Sequence, residues 1–302
     1  MKTSTINQSG ALGRYADVLL DTSFKRSFKE YGNAKRLMQL FLEALIPERK
    51  IKSLVFTSEE STNQNPDKKS IRVDVECIDQ NGERFVVEVQ RAEQSDFYER
   101  AVYNSTFTVQ RQLDAGTDLF GFRPVYFIGI MRFTLNPNDE RYLYRYSLRD
   151  EETGKEMTDS LHYVFLEVTK CKDDMNAPLV EKIGYALNNM VSFEQRPSGL
   201  AGEFFDLLFS STDLSKFANE DRIKYLNDMT TERDIRNQIS FAHDKGKAEG
   251  KIEGKIEGKI EGREEGRAEG VMQVATKLKA QGISIDVISN ATGLSEEQIN
   301  NL

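Results

Sequence analysis

The stretch VDVECIDQNGERFVVEVQ, residues 73–90, predicts two short β-strands joined by a tight turn. Apolar residues alternate with other residues on both sides of its Asn-Gly dipeptide, a pattern that favours a hairpin. Two carboxylates, Asp74 and Glu88, stand within these strands, and Gln90 follows the second one by two residues. Acidic side chains are depleted in β-strands, so their presence here requires a physical explanation.

The length of the hairpin loop decides which side chains face each other. A three-residue loop, 80–82, places Cys77 opposite Phe85 and makes one face of the hairpin wholly apolar. A two-residue loop would mix charge into both faces, which the cost of burying an unpaired carboxylate disfavours. The sequence therefore predicts the three-residue loop. The predicted facing pairs are Ile78 with Arg84, Cys77 with Phe85, Glu76 with Val86, Val75 with Val87, Asp74 with Glu88, Val73 with Val89, and Arg72 with Gln90.

Two acids that face each other destabilise a β-ladder, because facing Cβ atoms lie only about 5 Å apart. From the residues alone, two explanations for Asp74 and Glu88 stay open. A divalent cation such as Mg²⁺ would stabilise both carboxylates, since it favours oxygen ligands. Alternatively, the acids lie on a solvated face, where Arg72 or Arg84 forms salt bridges with them.

The composition limits the chemistry that the chain can use. Its 302 residues, 38% apolar and 30% charged, suffice for one large domain with an appendage or for two domains. The two cysteines, Cys77 and Cys171, are far apart, as are the two histidines, His162 and His243. This spacing predicts no disulfide framework, no zinc site and no histidine base. Any catalysis is therefore expected to rely on carboxylates.

Apolar content and charge predict a soluble, cytoplasmic protein that does not enter membranes. The first ten residues lack an apolar signal region, and the longest apolar run, 125–135, is too short to span a bilayer and contains Arg132. The net charge of −8 argues against nucleic-acid binding by the whole surface. Residues 1–52, however, carry ten Lys and Arg against five Asp and Glu, which is compatible with a local basic face.

Hydrophobic periodicity predicts strands flanked by helices. Asp21 is placed to cap a helix over 24–45, which Gly32 and Asn33 interrupt. Further helices are predicted over 94–113 and within 177–227. An α/β sandwich with a central mixed sheet follows from this alternation. Besides the hairpin, the predicted strands are 51–57, 123–135, 141–148 and 161–169.

A glycine recurs every fourth residue from 246 to 270, in GKAEGKIEGKIEGKIEGREEGRAEG. Each glycine costs a helix about 1 kcal/mol relative to alanine, and the period of four stacks like charges one turn apart. Because an isolated helix of this kind is weak, the repeat predicts a self-associating helix and hence a homo-oligomer. A solvated, partly frayed spacer is the alternative.

The chain after the repeat predicts a small helical end. A Thr292-Gly293 turn precedes Ser295 and Gln298, which have the spacing of a capping box. The segment carries no Lys or Arg after Lys279, so it is not expected to read DNA. The predicted domain division is 1–235, 236–282 and 283–302.

Short motifs follow one another in a fixed order over residues 11–226. They resemble those of the PD-(D/E)XK nuclease family transposases, also called recombination-promoting nucleases. The resemblance implies a restriction-endonuclease-like core with a helical C-terminal extension. The motifs are DTSFK (21–25), VDV (73–75), the Asn81-Gly82 turn, VEVQ (87–90), then Phe97, Arg100 and Tyr103, PVY (124–126) and LEVTK (166–170).

Position by position, the resemblance implies that Asp74 and Glu88 bind the catalytic metal, Mg²⁺ or alternatively Mn²⁺ or Ca²⁺. Gln90 then stands where the superfamily signature has a catalytic lysine. A neutral amide forms hydrogen bonds but supplies no positive charge, which Arg72 is placed to provide. Supporting or phosphate-contacting roles are implied for Asp21, Lys25, Arg72, Arg100 and Tyr103.

The resemblance implies a metal-dependent DNA endonuclease of low sequence specificity, linked to recombination, transposition or mobile elements. The lysine-to-glutamine departure at Gln90 leaves a second hypothesis open. In that hypothesis the chain is a catalytically idle nuclease fold that binds nucleic acid or other chains. A third hypothesis is a purely structural oligomer built on the glycine repeat.

Overall fold

The computed structural model describes residues 13–57, 73–93, 96–113 and 121–302. The chain divides into two compact units, Met1–Thr230 and Thr231–Leu302. Its strands are β1 (Leu54–Phe56), β2 (Val75–Asp79), β3 (Arg84–Gln90), β4 (Val125–Met131), β5 (Leu143–Ser147) and β6 (Leu161–Glu167). Its helices are α1 (Asp21–Lys25), α2 (Ala34–Leu45), α3 (Phe97–Gln110), α4 (Leu179–Asn189), α5 (Glu203–Thr212), α6 (Asn219–Ala280), α7 (Ile285–Thr292) and α8 (Glu296–Asn300).

The hairpin of β2 and β3 has the predicted three-residue loop. Gly82 takes the left-handed conformation with φ of 81°, and Asp79 Oδ1 accepts hydrogen bonds from the backbone N–H groups of Asn81 and Glu83. The predicted register is confirmed over the four pairs that form the ladder. These pairs are Ile78 with Arg84, Cys77 with Phe85, Glu76 with Val86, and Val75 with Val87.

The strands form one mixed sheet in the order β1-β2-β3-β4-β6-β5. The pairs β3 with β4 and β4 with β6 are parallel, and the others are antiparallel. The apolar face of the hairpin packs in the main core with side chains of α2, α4 and α5. The opposite face packs against α3 in a second, smaller core. The predicted α/β sandwich with a central mixed sheet is thus confirmed.

Gly129 of β4 brings α3 close to the sheet. It lies directly beside Glu88 in the parallel ladder, and a Cβ built on it would come within 2.8 Å of the Phe97 ring and 2.9 Å of the Phe165 ring. Real Cβ atoms essentially never approach other atoms this closely. The two rings therefore occupy the space that any side chain at this position would need. The absence of a side chain allows α3 to pack closely against the end of β3.

We expect Gly129→Ala to destabilise the protein by about 1–3 kcal/mol, because overpacking forces the rings of Phe97 and Phe165 to shift. Thermal unfolding followed by circular dichroism measures this loss. Gly154→Ala is unsuitable as a control because its φ is 67°, whereas Gly32→Ala places its methyl group in open space and should cost far less. Equal stability of the Gly129→Ala and Gly32→Ala variants would contradict the proposed close approach.

The first helical segment confirms one part of its prediction and corrects another. The helix over 24–45 is interrupted at Gly32 and Asn33 as predicted, since α1 continues into a π-helical turn, Arg26–Glu30, and α2 begins only at Ala34. Asp21 is not the helix cap: Leu20 holds the N-cap position, with no side-chain capping bond. The carboxylate of Asp21 instead pairs with a lysine one turn further on, as described below.

The second unit contains the rest of the long helix α6 and the two short helices after it. The glycine repeat is helical throughout, as predicted, and its self-association stays a prediction. The predicted capping box is confirmed, because Ser295 and Gln298 exchange both of its hydrogen bonds. A small apolar cluster, Ala275, Ile288 and Ile299, holds these helices together. Within the described residues, no helix combines the length and the apolar character that crossing a bilayer requires.

Candidate functional site

Glu88 lies near the end of β3 beneath α3 and is only 6% exposed. Arg100 donates a hydrogen bond to its Oε1 at 2.7 Å, and the Asn104 amide donates one to its Oε2 at 3.0 Å. Burial raises the pKa of Glu88, although the charge of Arg100 and the hydrogen bond from Asn104 lower it in part. Each carboxylate oxygen keeps a further lone pair, so Glu88 is fixed in orientation and still able to bind a ligand.

Asp74 immediately precedes β2 at the same end of the hairpin. Its Oδ2 accepts a hydrogen bond from the backbone N–H of Val89 at 2.6 Å, whereas its Oδ1 accepts none from the residues that the structure describes. Burial raises the pKa of Asp74 to about 6; the charges of Asp21 and Glu88 raise it as well, and the Val89 bond and Lys25 oppose the shift. Asp74 is therefore a partly buried carboxylate without full compensation of its charge.

The predicted pairing of Asp74 with Glu88 needs a correction. The ladder of regular pairs ends at Val75 with Val87, so the two acids do not face each other as members of the β-ladder. Asp74 turns instead toward the backbone of Val89, and this bond closes the open end of the hairpin. The like charges still act on each other, since Glu88 contributes to the raised pKa of Asp74.

The helix α1 brings two further charged groups to Asp74. Asp21 and Lys25 lie one helical turn apart and form an ion pair with a distance of 3.1 Å between Lys25 Nζ and Asp21 Oδ1. The charge of Asp21 raises the pKa of Asp74, and that of Lys25 lowers it. The structure thus brings Asp21, Lys25, Asp74 and Glu88 into one electrostatic cluster. Asp21 and Glu88 are 67 positions apart in the sequence and belong to different elements.

The remaining residues singled out from the sequence have different surroundings. Gln90 is the last residue of β3, and its side-chain amide donates to the backbone oxygen of Ala92 at 3.0 Å. Tyr103 is 47% exposed on α3 and is not among the side chains that bond Glu88. Arg72, expected to supply charge opposite Gln90, lies outside the described residues.

Two residues that position the site were not found from the sequence. Asn104 follows Arg100 by four residues, so helical spacing places both on the face of α3 that meets Glu88, and this spacing was an available signal. Asp228 of α6 accepts a hydrogen bond from the backbone N–H of Thr22 at 2.9 Å and thereby satisfies the first turn of α1. No local pattern connects Asp228 with Thr22, because about 200 residues separate them.

Glu76 of β2, two residues after Asp74, is an example of a carboxylate with a purely structural role. Glu76 points to the same face of the hairpin as Asp74 and is 5% exposed. Arg84 lies 3.3 Å from its Oε1 and Arg111 lies 2.5 Å from its Oε2. Glu76 therefore has two guanidinium partners, whereas no guanidinium group of the described residues is seen bonded to Asp74.

Another group of possible metal ligands lies near the start of β6. One ligand atom each of Glu156, Asp159 and His162 lies within 4.8 Å of the others. Arg49 pairs with Asp159 at 2.8 Å, and Arg149 lies 3.6 Å from Glu156. The spacing of the two histidines predicted no histidine cluster, yet one histidine suffices for this group. Its carboxylates have cationic partners, so salt bridges account for it.

A central mixed sheet with flanking helices defines a restriction-endonuclease-like α/β fold, and Asp74 and Glu88 lie at the end of its hairpin. A family model described as PD-(D/E)XK nuclease family transposase matches residues 18–242. The chain belongs to this family, whose membership implies a nuclease linked to transposition and a nucleic-acid substrate. Neither the comparison with curated proteins nor the one with solved structures gives a match.

PD-(D/E)XK nucleases generally use divalent metal ions, and the donor groups at this site fit such an ion. Asp74 and Glu88 offer carboxylate oxygens, which Mg²⁺ and Ca²⁺ prefer. Glu88 is buried and Asp74 is partly buried, and removal from solvent is the largest cause of the raised pKa of each. The free Oδ1 position of Asp74 and the remaining lone pairs of Glu88 leave room for coordination.

Proposed function

We propose that this chain is a metal-dependent DNA endonuclease of low sequence specificity that acts in recombination, transposition or mobile-element biology. The observation that carries the proposal is the pair of acids at the end of the hairpin, the partly buried Asp74 and the buried Glu88; within the described residues, no cationic side chain is seen bonded to Asp74. Family membership supports nuclease chemistry, whereas DNA as the substrate and Mg²⁺ as the ion, with Mn²⁺ or Ca²⁺ as alternatives, are parts of the proposal.

In this proposal Asp74 and Glu88 hold the metal, and Asp21 adds negative charge from α1. When bound, the ion supplies Lewis-acid polarisation of the phosphodiester and a more acidic water. Arg100 and Asn104 keep Glu88 in one orientation, and the Val89 N–H does the same for Asp74. The protein thereby prepares the site before the substrate arrives, so little reorganisation is needed during the reaction.

Lys25 is the residue that we propose for the positive charge that Gln90 cannot provide. Its ammonium group acts electrostatically on Asp74 from α1 and is paired with Asp21. Gln90, at the end of β3, contributes hydrogen bonds that orient water or phosphate. Arg100, which is 37% exposed at its side chain, is placed to contact a phosphate while it holds Glu88. Tyr103 lies one turn further, with its ring half exposed.

A second candidate function rests on Gln90 itself. A neutral amide at the position of the signature lysine is also what a catalytically idle nuclease fold would carry, and such a chain would bind nucleic acid or other chains without cutting. The net charge of −8 is compatible with this alternative. The two functions differ in one observable property, the conversion of supercoiled DNA to a nicked form.

The experiment that separates them is a plasmid nicking assay in Mg²⁺, Mn²⁺, Ca²⁺ or EDTA. We expect nicking in at least one of the metals and none in EDTA, because the two acids need a dication to act on a phosphodiester. DNA binding without nicking in any metal would favour the idle fold. Nicking that persists in EDTA would contradict the metal-dependent proposal.

The glycine repeat supports a further part of the proposal, a homo-oligomer formed through residues 246–270. A Cβ at any glycine of this row meets nothing within 4 Å, so the row is open to close approach by another helix. A period of four residues follows the i±4 ridges of a helix, which favours a right-handed crossing. The row of Lys and Arg on one side and the row of Glu on the other allow charge pairing between two chains.

We expect a variant lacking residues 245–270 to sediment with at most half the mass of the full chain, because it loses the proposed contact surface. Sedimentation equilibrium measures the difference. Gly254→Leu combined with Gly258→Leu is the matched variant, since it blocks close approach but keeps every charge, and it should dissociate too. An unchanged mass in the deletion variant would remove the oligomer from the proposal.

A further inference from the structure

An apolar cavity of about 400 Å³ lies on the flank of α3 that points away from Glu88. Its volume falls within the range of about 300–1,000 Å³ that is typical of ligand sites. The helix α3 packs over β3 and β4 and leaves the same face of the sheet uncovered at β6 and β5. The cavity lies where the side of the helix meets this uncovered part of the sheet. Its lining residues are Tyr98, Val102, Tyr146, Tyr163 and Phe165.

The aromatic rings around this cavity are held in place by one another. The Tyr98 ring lies 5.6 Å from that of Phe165 and 6.3 Å from that of Tyr146, and the last two are 5.7 Å apart. Burial, followed by a hydrogen bond with Tyr98, raises the pKa of Tyr146 to about 12, so its ring is uncharged at neutral pH. A flat ligand can therefore stack here without first ordering these side chains.

We propose that this cavity stacks an unpaired base of single-stranded DNA. The inference rests on the proposed function, because nucleic acid is the polymer that the neighbouring site would cut. Tyr98 and Val102 lie on one flank of α3, and Arg100 and Asn104, which bond Glu88, lie on the other. The helix with its side chains is about 10–12 Å wide, a distance that a few nucleotides of a strand can span.

The surroundings of the cavity suit a phosphate backbone better than a second protein chain. Arg141, whose side chain is 71% exposed, lies with its guanidinium 5.0 Å from the ring of Tyr144 and acts electrostatically on Tyr146. Its partner Asp139 forms an ion pair with it at the surface, where solvent screens both charges. With Arg100 beyond α3, a guanidinium group stands on each side of the rings.

The size of the surface also argues against another copy of the chain as the occupant. A stable protein interface takes about 20–30 residues from each partner, whereas five side chains line this cavity. Stacking on a few aromatic rings, in contrast, is the usual way in which proteins hold unpaired bases, because every base has a π-face. The cavity therefore fits one base with its neighbouring phosphates.

The test measures the binding of a fluorescent single strand of about 20 nucleotides by anisotropy, in EDTA so that the strand stays intact. We expect Tyr98→Ala combined with Tyr146→Ala to weaken binding about tenfold or more, and Tyr98→Phe combined with Tyr146→Phe to retain it. Phe241→Ala removes a ring from α6 that is more exposed than those of Tyr98 and Tyr146, and it should change nothing. An abasic strand of the same length should bind the wild-type protein as weakly as the normal strand binds the double alanine variant.

A local probe is available because the chain contains no tryptophan. In Tyr146→Trp, the single indole should be quenched by the normal strand and far less by the abasic strand. Equal binding of both strands by the wild-type and double alanine proteins, or no binding at all, would overturn the inference. The inference would also be overturned if the double alanine variant lost an oligomeric state but kept its DNA binding. The cavity would then hold a second copy of the chain.

The failure of this inference is distinguishable from failure of the proposed function. Metal-dependent nicking, combined with equal binding of the normal and abasic strands, would overturn the stacking site alone. Base-dependent binding combined with absence of nicking in every metal would overturn the endonuclease and leave the stacking site in place.

Discussion

Asp74→Ala and Glu88→Ala each reduce metal-dependent plasmid nicking by at least about 10²–10³-fold, because each removes one of the two proposed metal ligands. The loss should be the same at every tested concentration of DNA if binding of the substrate is unaffected. Initial rates of nicking in the most effective metal measure it. A rate within about tenfold of the wild type for either variant would mean that the acid is not required for the chemistry.

The matched control for these variants is Glu76→Gln. Glu76 is as buried as Glu88 and lies two residues from Asp74, but Arg84 and Arg111 already balance its charge. Its replacement leaves these guanidinium groups without their partner and should lower the free energy of unfolding by about 1–3 kcal/mol. The nicking rate of the folded Glu76→Gln protein should remain close to that of the wild type. A loss as large as that in Asp74→Ala would indicate that disturbance of the strand, and not loss of a ligand, stops the reaction.

Asp74→Asn should make the metal-free protein more stable at pH 8 by up to about 3 kcal/mol. The pKa of Asp74 is raised to about 6 from an ordinary value of 3.8, chiefly by burial, so the ionised carboxylate destabilises the folded state. Asparagine keeps an oxygen that can accept the hydrogen bond from the Val89 N–H but carries no charge. Chemical denaturation in EDTA measures the gain, and Glu76→Gln should change the stability in the opposite direction.

The sign of the pH dependence follows from the same shift. The folded state holds the proton on Asp74 up to a higher pH than the unfolded state does. The contribution of Asp74 to the free energy of unfolding of the wild-type protein therefore falls as pH rises from about 4 to about 6. The Asp74→Asn variant lacks this fall. Its advantage should therefore be absent below pH 4 and complete above pH 6. A variant that is less stable than the wild type across this range would contradict the view of Asp74 as an uncompensated acid.

The hairpin was predictable because the residues that determine its register and its turn lie close together in the sequence. The alternation of apolar side chains selects a single register, and the Asn-Gly dipeptide supplies the left-handed glycine that the loop needs, as the φ of 81° at Gly82 confirms. The alternation of strands and helices likewise predicts the mixed sheet. The capping box of Ser295 and Gln298 was found for the same reason, since both partners lie within four residues.

The parts of the site that were missed depend on contacts between distant segments. Periodicity does not reveal that α1 continues into a π-helical turn, or that Asp228 from α6 satisfies the backbone of α1. The correction at Asp74 arises from the end of the ladder, where a carboxylate can bond the backbone of Val89 instead of continuing the strand. Roles for Asp74, Glu88 and Gln90 in catalysis stay predictions that the following measurement addresses.

Isothermal titration calorimetry with Mn²⁺ and Mg²⁺ measures whether Asp74 and Glu88 together hold a divalent cation. We expect binding to the wild-type protein and to Glu76→Gln, with affinity that falls as pH drops below about 6 because protons compete for Asp74. We expect no such binding to Asp74→Ala or Glu88→Ala. Equal binding by all four proteins, or no binding of either ion by the folded wild type, would show that these acids do not form a metal site.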